Sequence, residues 1–168
     1  MLRETRNKGL GVRLHGFTLV ELIVVIVIMM IAAAMVIPQV VSTGDVKSRS
    51  AARMLMADLE YAQSQAIVTQ NQVTVTFDTS GNAYTVSNAS GTLTHPITKN
   101  AYVIDLDQTN GMEGVSIDTV NFGSGQSVTF DALGAPDYDG SVTFVAGAQS
   151  YVISVAPITG RVTVSEGS

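Results

Sequence analysis

Few side chains in this sequence are of the types that carry out catalysis, and they stand far apart. The chain contains no cysteine, and His95 is the only histidine after Gly16. A single histidine holds zinc only if three carboxylates converge on it, and a Ser-His-Asp triad would depend on this one residue. No glycine-rich phosphate loop followed by Lys-Ser or Lys-Thr is present. We therefore predict no enzymatic activity, and we interpret His95, which precedes Pro96, as a solvated loop residue.

Two short acidic segments carry the type of ligand that calcium prefers. One contains Asp105 and Asp107, the other contains Asp137 and Asp139, and each ends in a glycine. Oxygen ligands on a turn with glycine suit Ca²⁺, but neither segment has EF-hand spacing. Short polar side chains also form ordinary Asx turns. The sequence favours turns and predicts no metal and no cofactor, with weak calcium binding by either pair left open.

Glu21 is the charged residue whose position most needs an explanation. Between Phe17 and Val41 the only polar side chains are Thr18, Glu21 and Gln39. An ionised carboxylate in a membrane-spanning helix costs about 2.5–3.5 kcal/mol. If this segment crosses a membrane, Glu21 must either meet a compensating charge or snorkel to the headgroups near the helix end.

The apolar segment 17–41 is long enough to cross a bilayer. As a helix it spans roughly 37 Å, against about 30 Å for the hydrocarbon core. Residues 1–16 contain four basic side chains and one acidic side chain, a net charge of +3. Because cytoplasmic flanks carry the excess of basic residues, we predict a transmembrane helix at 17–41 with residues 1–16 in the cytoplasm.

Other interpretations of the same segment are a secretory signal peptide, a plain signal anchor and a buried helix of a soluble protein. The run 32–34 is Ala-Ala-Ala, which matches an A-x-A cleavage site. Against cleavage there, the apolar residues continue through Met35, Val36 and Ile37. A carboxylate near the start of the apolar stretch also has no use in a signal peptide.

Net charge argues against a nucleic-acid-binding body. Four of the nine basic residues and one of the fourteen acidic residues precede Gly16, which leaves five basic and thirteen acidic residues after it. The remaining chain thus has a net charge of −8. Binding to phosphates depends on clustered Lys and Arg side chains, so we expect no nucleic-acid partner.

The residues Gly16-Phe17-Thr18-Leu19-Val20-Glu21, followed by unbroken aliphatic side chains and then Pro38, resemble the class III leader junction of type IV prepilins and type II secretion pseudopilins. The resemblance implies that a prepilin peptidase cuts between Gly16 and Phe17 and that Phe17 is then N-methylated. It also implies that Glu21 faces the N-terminus of a neighbouring subunit in a filament. Residues 1–16 are then a cleaved leader.

A second helix is predicted at 42–70 after a break at 41–45. Leu55, Leu59, Ala62 and Ala66 recur at spacings of four, three and four, which places them in one apolar stripe. Polar residues, Asp58 among them, occupy much of the remaining surface. The stripe predicts a helix packed on a sheet.

A β domain is predicted at 71–168. Alternating apolar residues and Gly/Asn turn residues indicate a hairpin from the first two strands. A compact turn at 156–160 closes a second hairpin at the C-terminus. The predicted strands are 73–77, 83–86, 102–106, 115–122, 127–130, 141–145, 151–155 and 161–164.

The C-terminal half, with Phe130-Asp131-Ala132-Leu133-Gly134, is similar to the minor pseudopilin H and FimT-like group. The resemblance implies an α+β, pilin-like fold, with a long N-terminal helix packed on a small antiparallel β-sandwich. It implies a minor pseudopilin of a type II secretion filament, held in the inner membrane with its body in the periplasm. Its partners would be other pilin-like subunits, the prepilin peptidase and the assembly platform. The alternative is a minor pilin of a type IV pilus, serving adhesion or DNA uptake, because both systems use the same peptidase. A membrane-anchored enzyme or adhesin that uses the acidic segments is a further alternative.

Overall fold

The computed structural model describes the backbone of residues 16–40, 43–123 and 125–167, and the side chains of these residues apart from 34–40 and 43. Leader residues 1–15, and residues 41 and 42 of the predicted helix break, lie outside the described residues. The chain divides into two compact units, one ending at Val40 and one beginning at Val41. Each unit is described by itself.

The first unit contains helix α1, Leu19–Val40, whose backbone remains helical through Pro38. Large aliphatic side chains from Leu19 to Ile31 are 45–74% exposed. They surround the helix, so its apolar surface is not confined to one face. Within the part of the chain that the structure describes, no helix has the length and apolarity needed to cross a membrane.

The second unit begins with helix α2, Thr43–Thr69. The apolar stripe predicted from the sequence is fully buried, with Leu55, Leu59, Ala62 and Ala66 inaccessible to solvent. This stripe packs against strands of both sheets. The prediction of a helix laid on a sheet is therefore confirmed, and α2 contributes one side of the core.

The predicted helix break does not extend into Gly44 and Asp45, which are helical. Close packing explains the glycine, because a Cβ atom on Gly44 would lie 2.8 Å from the carbonyl oxygen of Ala146. The tyrosine hydroxyl of Tyr151 donates to Asp45 Oδ1 at 2.6 Å and fixes the first turn to the sheet. Tertiary contacts thus outweigh the low helix propensity of glycine.

The first sheet contains β1 Val73–Asp78, β2 Ala83–Asn88, β3 Gly91–Thr92, β4 Val103–Asp105 and β6 Ser127–Phe130. Its order is β3-β2-β1-β6. Strand β3 pairs with the C-terminal end of β2, and β4 pairs with the N-terminal half of β2. All pairs are antiparallel, and the predicted hairpin is confirmed by the register Asp78↔Ala83. Strand β3 was not predicted, because two residues are too few to show alternation.

The second sheet contains β5 Ser116–Phe122, β7 Gly140–Ala146, β8 Gln149–Val155 and β9 Val162–Glu166, in the order β5-β7-β8-β9. Its antiparallel pairs include the predicted C-terminal hairpin of β8 and β9. The rings of Phe77 and Phe122 stack at a centroid distance of 5.9 Å and join the two sheets. The α+β class with two small antiparallel sheets beside a helix is therefore confirmed.

Candidate functional site

The predicted processing site lies directly before the start of helix α1. Gly16, Phe17 and Thr18 precede α1 and are not helical. Gly16 is exposed, and Phe17 is 83% exposed. Apart from its two chain neighbours, no atom of the described residues lies within 4 Å of a Cβ atom built on Gly16. The peptide bond between Gly16 and Phe17 is therefore sterically accessible.

Thr18 caps the N-terminus of α1, a feature that the sequence interpretation missed. Its Oγ1 accepts a hydrogen bond from the backbone N–H of Glu21 at 3.2 Å, and its carbonyl oxygen accepts from the N–H of Leu22 at 3.1 Å. Thr18-x-x-Glu21 is the capping-box pattern, and that spacing is visible in the sequence. Glu21 thus lies in the first helical turn, where the helix dipole favours a negative charge.

The structure places Gly16, Phe17 and Glu21 within one turn of the start of α1, and all three are exposed. Glu21 is the acidic residue of the first helical turn. The arrangement offers an accessible backbone for cleavage and an accessible carboxylate for a cation from outside the chain. No hydrogen bond from the described residues reaches the Glu21 carboxylate.

The first acidic pair forms turn contacts. Asp105 Oδ1 accepts from the backbone N–H groups of Asp107 and Gln108 at 2.9 and 3.2 Å, which is an Asx turn. Asp107 Oδ1 accepts from the side-chain amide of Asn82 at 2.8 Å. These contacts occupy one oxygen of each carboxylate with protein donors.

The second acidic pair is arranged in a similar way. Asp137 Oδ1 accepts from the backbone N–H groups of Thr129 and Tyr138, both at 2.9 Å. This contact ties the loop after β6 to the strand itself. Across the described residues, no group of three or more His, Cys, Asp or Glu side chains is placed to hold a metal ion.

His95 is a loop residue, but it is only half-exposed rather than fully solvated. Its Nδ1 accepts from the backbone N–H groups of Ile97 and Thr98 at 3.1 and 3.2 Å. Its ring lies edge-on to the ring of Tyr102 at a centroid distance of 4.5 Å. The histidine therefore shapes its own loop and packs it against an aromatic side chain.

Asp58 is not a surface residue of α2, contrary to the sequence interpretation, because only 8% of it is exposed. Its Oδ2 accepts from the Tyr84 hydroxyl at 2.5 Å, and its Oδ1 accepts from the Tyr102 hydroxyl at 2.9 Å. Burial raises the pKa of Asp58, and the two tyrosine hydrogen bonds oppose that rise. The pKa of Tyr84 is raised by its own burial and by the carboxylate. These three side chains fasten α2 to the first sheet.

Two family models match different parts of the chain. Residues 51–160 match the family model of type II transport protein GspH, and residues 13–37 match the prokaryotic N-terminal methylation motif. No curated protein matches the chain at a significant level. The GspH match covers about two thirds of the chain and includes most of α2 and most of both sheets.

Solved structures share the fold. The minor pseudopilin EpsH of the type 2 secretion system of Vibrio cholerae is 12% identical, with a TM-score of 0.55 over 71% of this chain and 97% of that chain. The type IV minor pilin FimU of Pseudomonas aeruginosa is 20% identical, with a TM-score of 0.53 over 73% of this chain and 91% of that chain. Identities this low support the fold alone. The GspH match covers more than half of the sequence, so the chain belongs to the GspH family of type II transport proteins and is a type IV pilin-like minor pseudopilin.

Proposed function

We propose that this minor pseudopilin is made as a precursor, cut between Gly16 and Phe17 by a prepilin peptidase, and N-methylated on Phe17. The observation that carries the proposal is the exposed, non-helical Gly16 directly before a capped helix, within the residues that match the methylation motif. A protease needs an accessible bond outside a helix, and Gly16 and Phe17 are exposed and non-helical. The pseudopilin itself needs no catalytic group for this role.

The proposed localisation is the inner membrane, with segment 17–41 as a single span and the body in the periplasm. The sequence supports it, because residues 17–41 contain only three polar side chains and residues 1–16 have a net charge of +3. Assembly would transfer α1 from lipid to a filament core made of similar helices, which exchanges lipid contacts for helix contacts. The partners would be other pilin-like subunits, the peptidase and the assembly platform.

Glu21 is proposed to direct this assembly. Cleavage creates a positively charged α-amino group on Phe17, four residues before Glu21 of the same chain. In a filament, the carboxylate of one subunit would meet the amino group of the next. That pairing would neutralise a charge that costs about 2.5–3.5 kcal/mol within a membrane, so it would favour correctly aligned subunits.

A minor pilin of a type IV pilus is the second candidate, and the similarity to FimU supports it at the level of fold. The GspH family match favours secretion. The neighbouring genes would distinguish the two candidates, because secretion systems and pili have different outer-membrane and assembly components. The same processing chemistry applies to both.

Processing is tested by intact-mass and N-terminal analysis of the protein purified from its own host. We expect a mature chain that starts with N-methylated Phe17 and lacks the first sixteen residues. Replacement of Gly16 by a bulky residue such as Val should leave the full-length precursor in the membrane. A mature chain starting near Met35 would establish a secretory signal peptide and would contradict the proposal.

A further inference from the structure

A polar groove runs between the first half of α2 and the edge strand β9, away from the N-terminal residues discussed above. Its volume is about 360 Å³. Tyr151 forms part of its wall, and this tyrosine is nearly buried and bonded to Asp45. The residues that line it are Asp45, Arg49, Arg53, Tyr151, Val164, Ser165 and Glu166.

Arg49 and Arg53 are the cations of this groove, and both are exposed. They stand four residues apart, which puts them on the same face of α2, where like charges disfavour the helix. Across the described residues the one ion pair is Lys47 with Glu113, at 3.1 Å. No hydrogen bond within that part of the chain involves either guanidinium group. Both guanidinium groups are therefore available to a partner from outside the chain.

Among the described residues, neither carboxylate of the groove forms an ion pair with these arginines. Asp45 Oδ1 accepts the Tyr151 hydroxyl at 2.6 Å instead of a guanidinium N–H. Glu166 lies at the end of β9 and is exposed. The groove has two positive and two negative side chains, so it does not attract a polyanion as such. It suits a ligand that places one carboxylate near the arginines and N–H donors near the carboxylates of the groove.

Strand β9 supplies a second recognition element. It pairs with β8 on one side, and in the described chain no strand pairs with its other side. An open strand edge hydrogen-bonds to an extended peptide. A carboxylate next to that peptide backbone would then reach the guanidinium forks of Arg49 and Arg53, which match carboxylate geometry.

We infer that this groove binds an extended acidic segment of a neighbouring pilin-like subunit. The inference rests on the proposed function, which supplies the neighbour. Local charge supports this occupant, because Arg49 and Arg53 are two of the five basic residues after Gly16, are exposed, and form no ion pair among the described residues. A carboxylate of the bound segment would supply their counter-charge.

The test uses the full chain in isolated membranes of its own host. Since the protein has no cysteine, Ser165→Cys labelled with benzophenone maleimide places a photo-crosslinker in the groove alone. Thr119→Cys, on the exposed surface of β5, is the control position. We expect adducts from Ser165→Cys with a peptide that contains Asp or Glu and belongs to a pilin-like subunit. The control position should not yield that peptide.

Charge reversal then tests the arginines. Arg49→Glu with Arg53→Glu should reduce the adduct about fivefold or more, since attraction becomes repulsion. Lys99→Glu with Arg161→Glu makes the same change in net charge at exposed positions outside the groove and should leave the adduct unchanged. Replacing the cross-linked acidic residue of the partner by Lys should restore the adduct with the reversed groove, which also shows that the reversed variant is folded.

Failure of this inference is distinguishable from failure of the proposed function. If the chain co-purifies with pilin-like subunits but Ser165→Cys yields no subunit adduct, the groove assignment is wrong and the proposed function stands. An adduct that is insensitive to charge reversal, or one with lipid or nucleic acid, also overturns the assignment. If neither adduct nor co-purification occurs, both are wrong.

Discussion

The Tyr84 hydroxyl group donates a 2.5 Å hydrogen bond to Asp58 Oδ2, and this bond joins β2 of the first sheet to α2. Tyr102 donates to the other oxygen of the same carboxylate at 2.9 Å. Both tyrosines are buried. A buried carboxylate that accepts two hydroxyl hydrogen bonds fixes the rotation of the helix over the sheet, but it also makes folding depend on one ionisable group.

Asp58 should make stability decrease as pH rises from acid toward neutral. Its folded pKa lies above the ordinary 3.8, mainly because burial disfavours the charged form. Its contribution is therefore complete below the unfolded pKa and is lost as pH rises through the folded pKa. We expect Asp58→Asn to lower the free energy of unfolding most near pH 3, by about 1 kcal/mol, and progressively less toward about pH 7. Urea unfolding of both proteins across this range checks it.

Glu113 changes stability with pH in the direction opposite to Asp58. Its contribution must therefore be separated from that of Asp58 in the urea measurement. A backbone N–H from Gly111 and the ammonium group of Lys47 lower the pKa of Glu113 to about 2. Stability from Glu113 is present above its unfolded pKa and is lost as pH falls. The difference between the wild type and Asp58→Asn removes this shared contribution. A difference that does not vary with pH would show that Asp58 does not titrate with a raised pKa.

Removing one hydroxyl group should test the tyrosine bonds directly. Tyr84→Phe leaves a buried carboxylate with one donor fewer, and we expect a loss of about 1.5–3 kcal/mol at neutral pH, as for hydrogen bonds to charged groups. Tyr61→Phe is the matched control, because its hydroxyl makes no hydrogen bond within the described residues and its ring packs on Tyr102. The control should change stability by less than about 0.5 kcal/mol. Equal effects would contradict the role of the Asp58 bond.

Gln63 on α2 should be important for stability although it belongs to no proposed site. Its Nε2 donates to the carbonyl oxygens of Gly134 at 2.7 Å and Thr159 at 2.9 Å, so one amide group holds the loop after β6 and the loop after β8. Gln63→Glu would replace this donor by an acceptor facing two carbonyl oxygens. We expect a loss of about 1–3 kcal/mol in the free energy of unfolding.

The control for this change is Gln149→Glu, which adds the same charge at an exposed position and should be nearly silent. Gly134→Ala should also destabilise the loop after β6, through backbone strain rather than loss of the amide bond, because Gly134 has a φ of 82° and a Cβ there would lie 2.7 Å from Cδ1 of Ile67. Thermal unfolding of the four proteins decides the matter. A stable Gln63→Glu protein would mean that the two loops are held without the amide.

The assembly role of Glu21 can be separated from helix capping by comparing variants of Thr18 and Glu21, the two residues of the capping box. Thr18→Ala removes the cap that accepts the Glu21 N–H and should cost about 1 kcal/mol of helix stability. Glu21→Gln keeps the size of the side chain and removes the charge. If Glu21 pairs with the Phe17 amine of a neighbour, Glu21→Gln and Glu21→Val should preserve cleavage and insertion but slow or abolish incorporation into filaments.

Cross-linking or co-purification with the major subunit, beside a processing assay on the same cells, gives the answer. Thr18→Ala should assemble better than either Glu21 variant. Equal defects in all three variants would favour a capping role, and normal assembly by Glu21→Val would exclude the pairing. Loss of cleavage would show that the peptidase itself reads Glu21.

The sequence predicted the helices and strands that have strong local patterns. It did not predict contacts between residues that are far apart along the chain. The stripe of Leu55, Leu59 and Ala62 has helical spacing, so α2 and its buried face were predictable. Asp58 sits within that stripe, three residues after Leu55, which could have marked it as buried. Its two partners are 26 and 44 residues away along the chain, and no local pattern connects them.

The candidate site shows the same contrast on a smaller scale. The junction at Gly16 and Phe17 is a local pattern. The capping box of Thr18 and Glu21 is also a local pattern, and its spacing is visible in the sequence. The double hydrogen bond of Gln63 depends on loops 71 and 96 residues away. Such contacts follow from the packing of the two sheets and become visible only in three dimensions.

Helix α2 contacts strands of both sheets, and this has a consequence for how the body folds. Each sheet has an apolar side that needs cover, and the same stripe of α2 provides it for both. Neither sheet can keep its core once α2 leaves, so partly folded forms with one intact sheet are poorly populated. We therefore expect the body to unfold cooperatively, with both sheets lost in one transition rather than strand by strand.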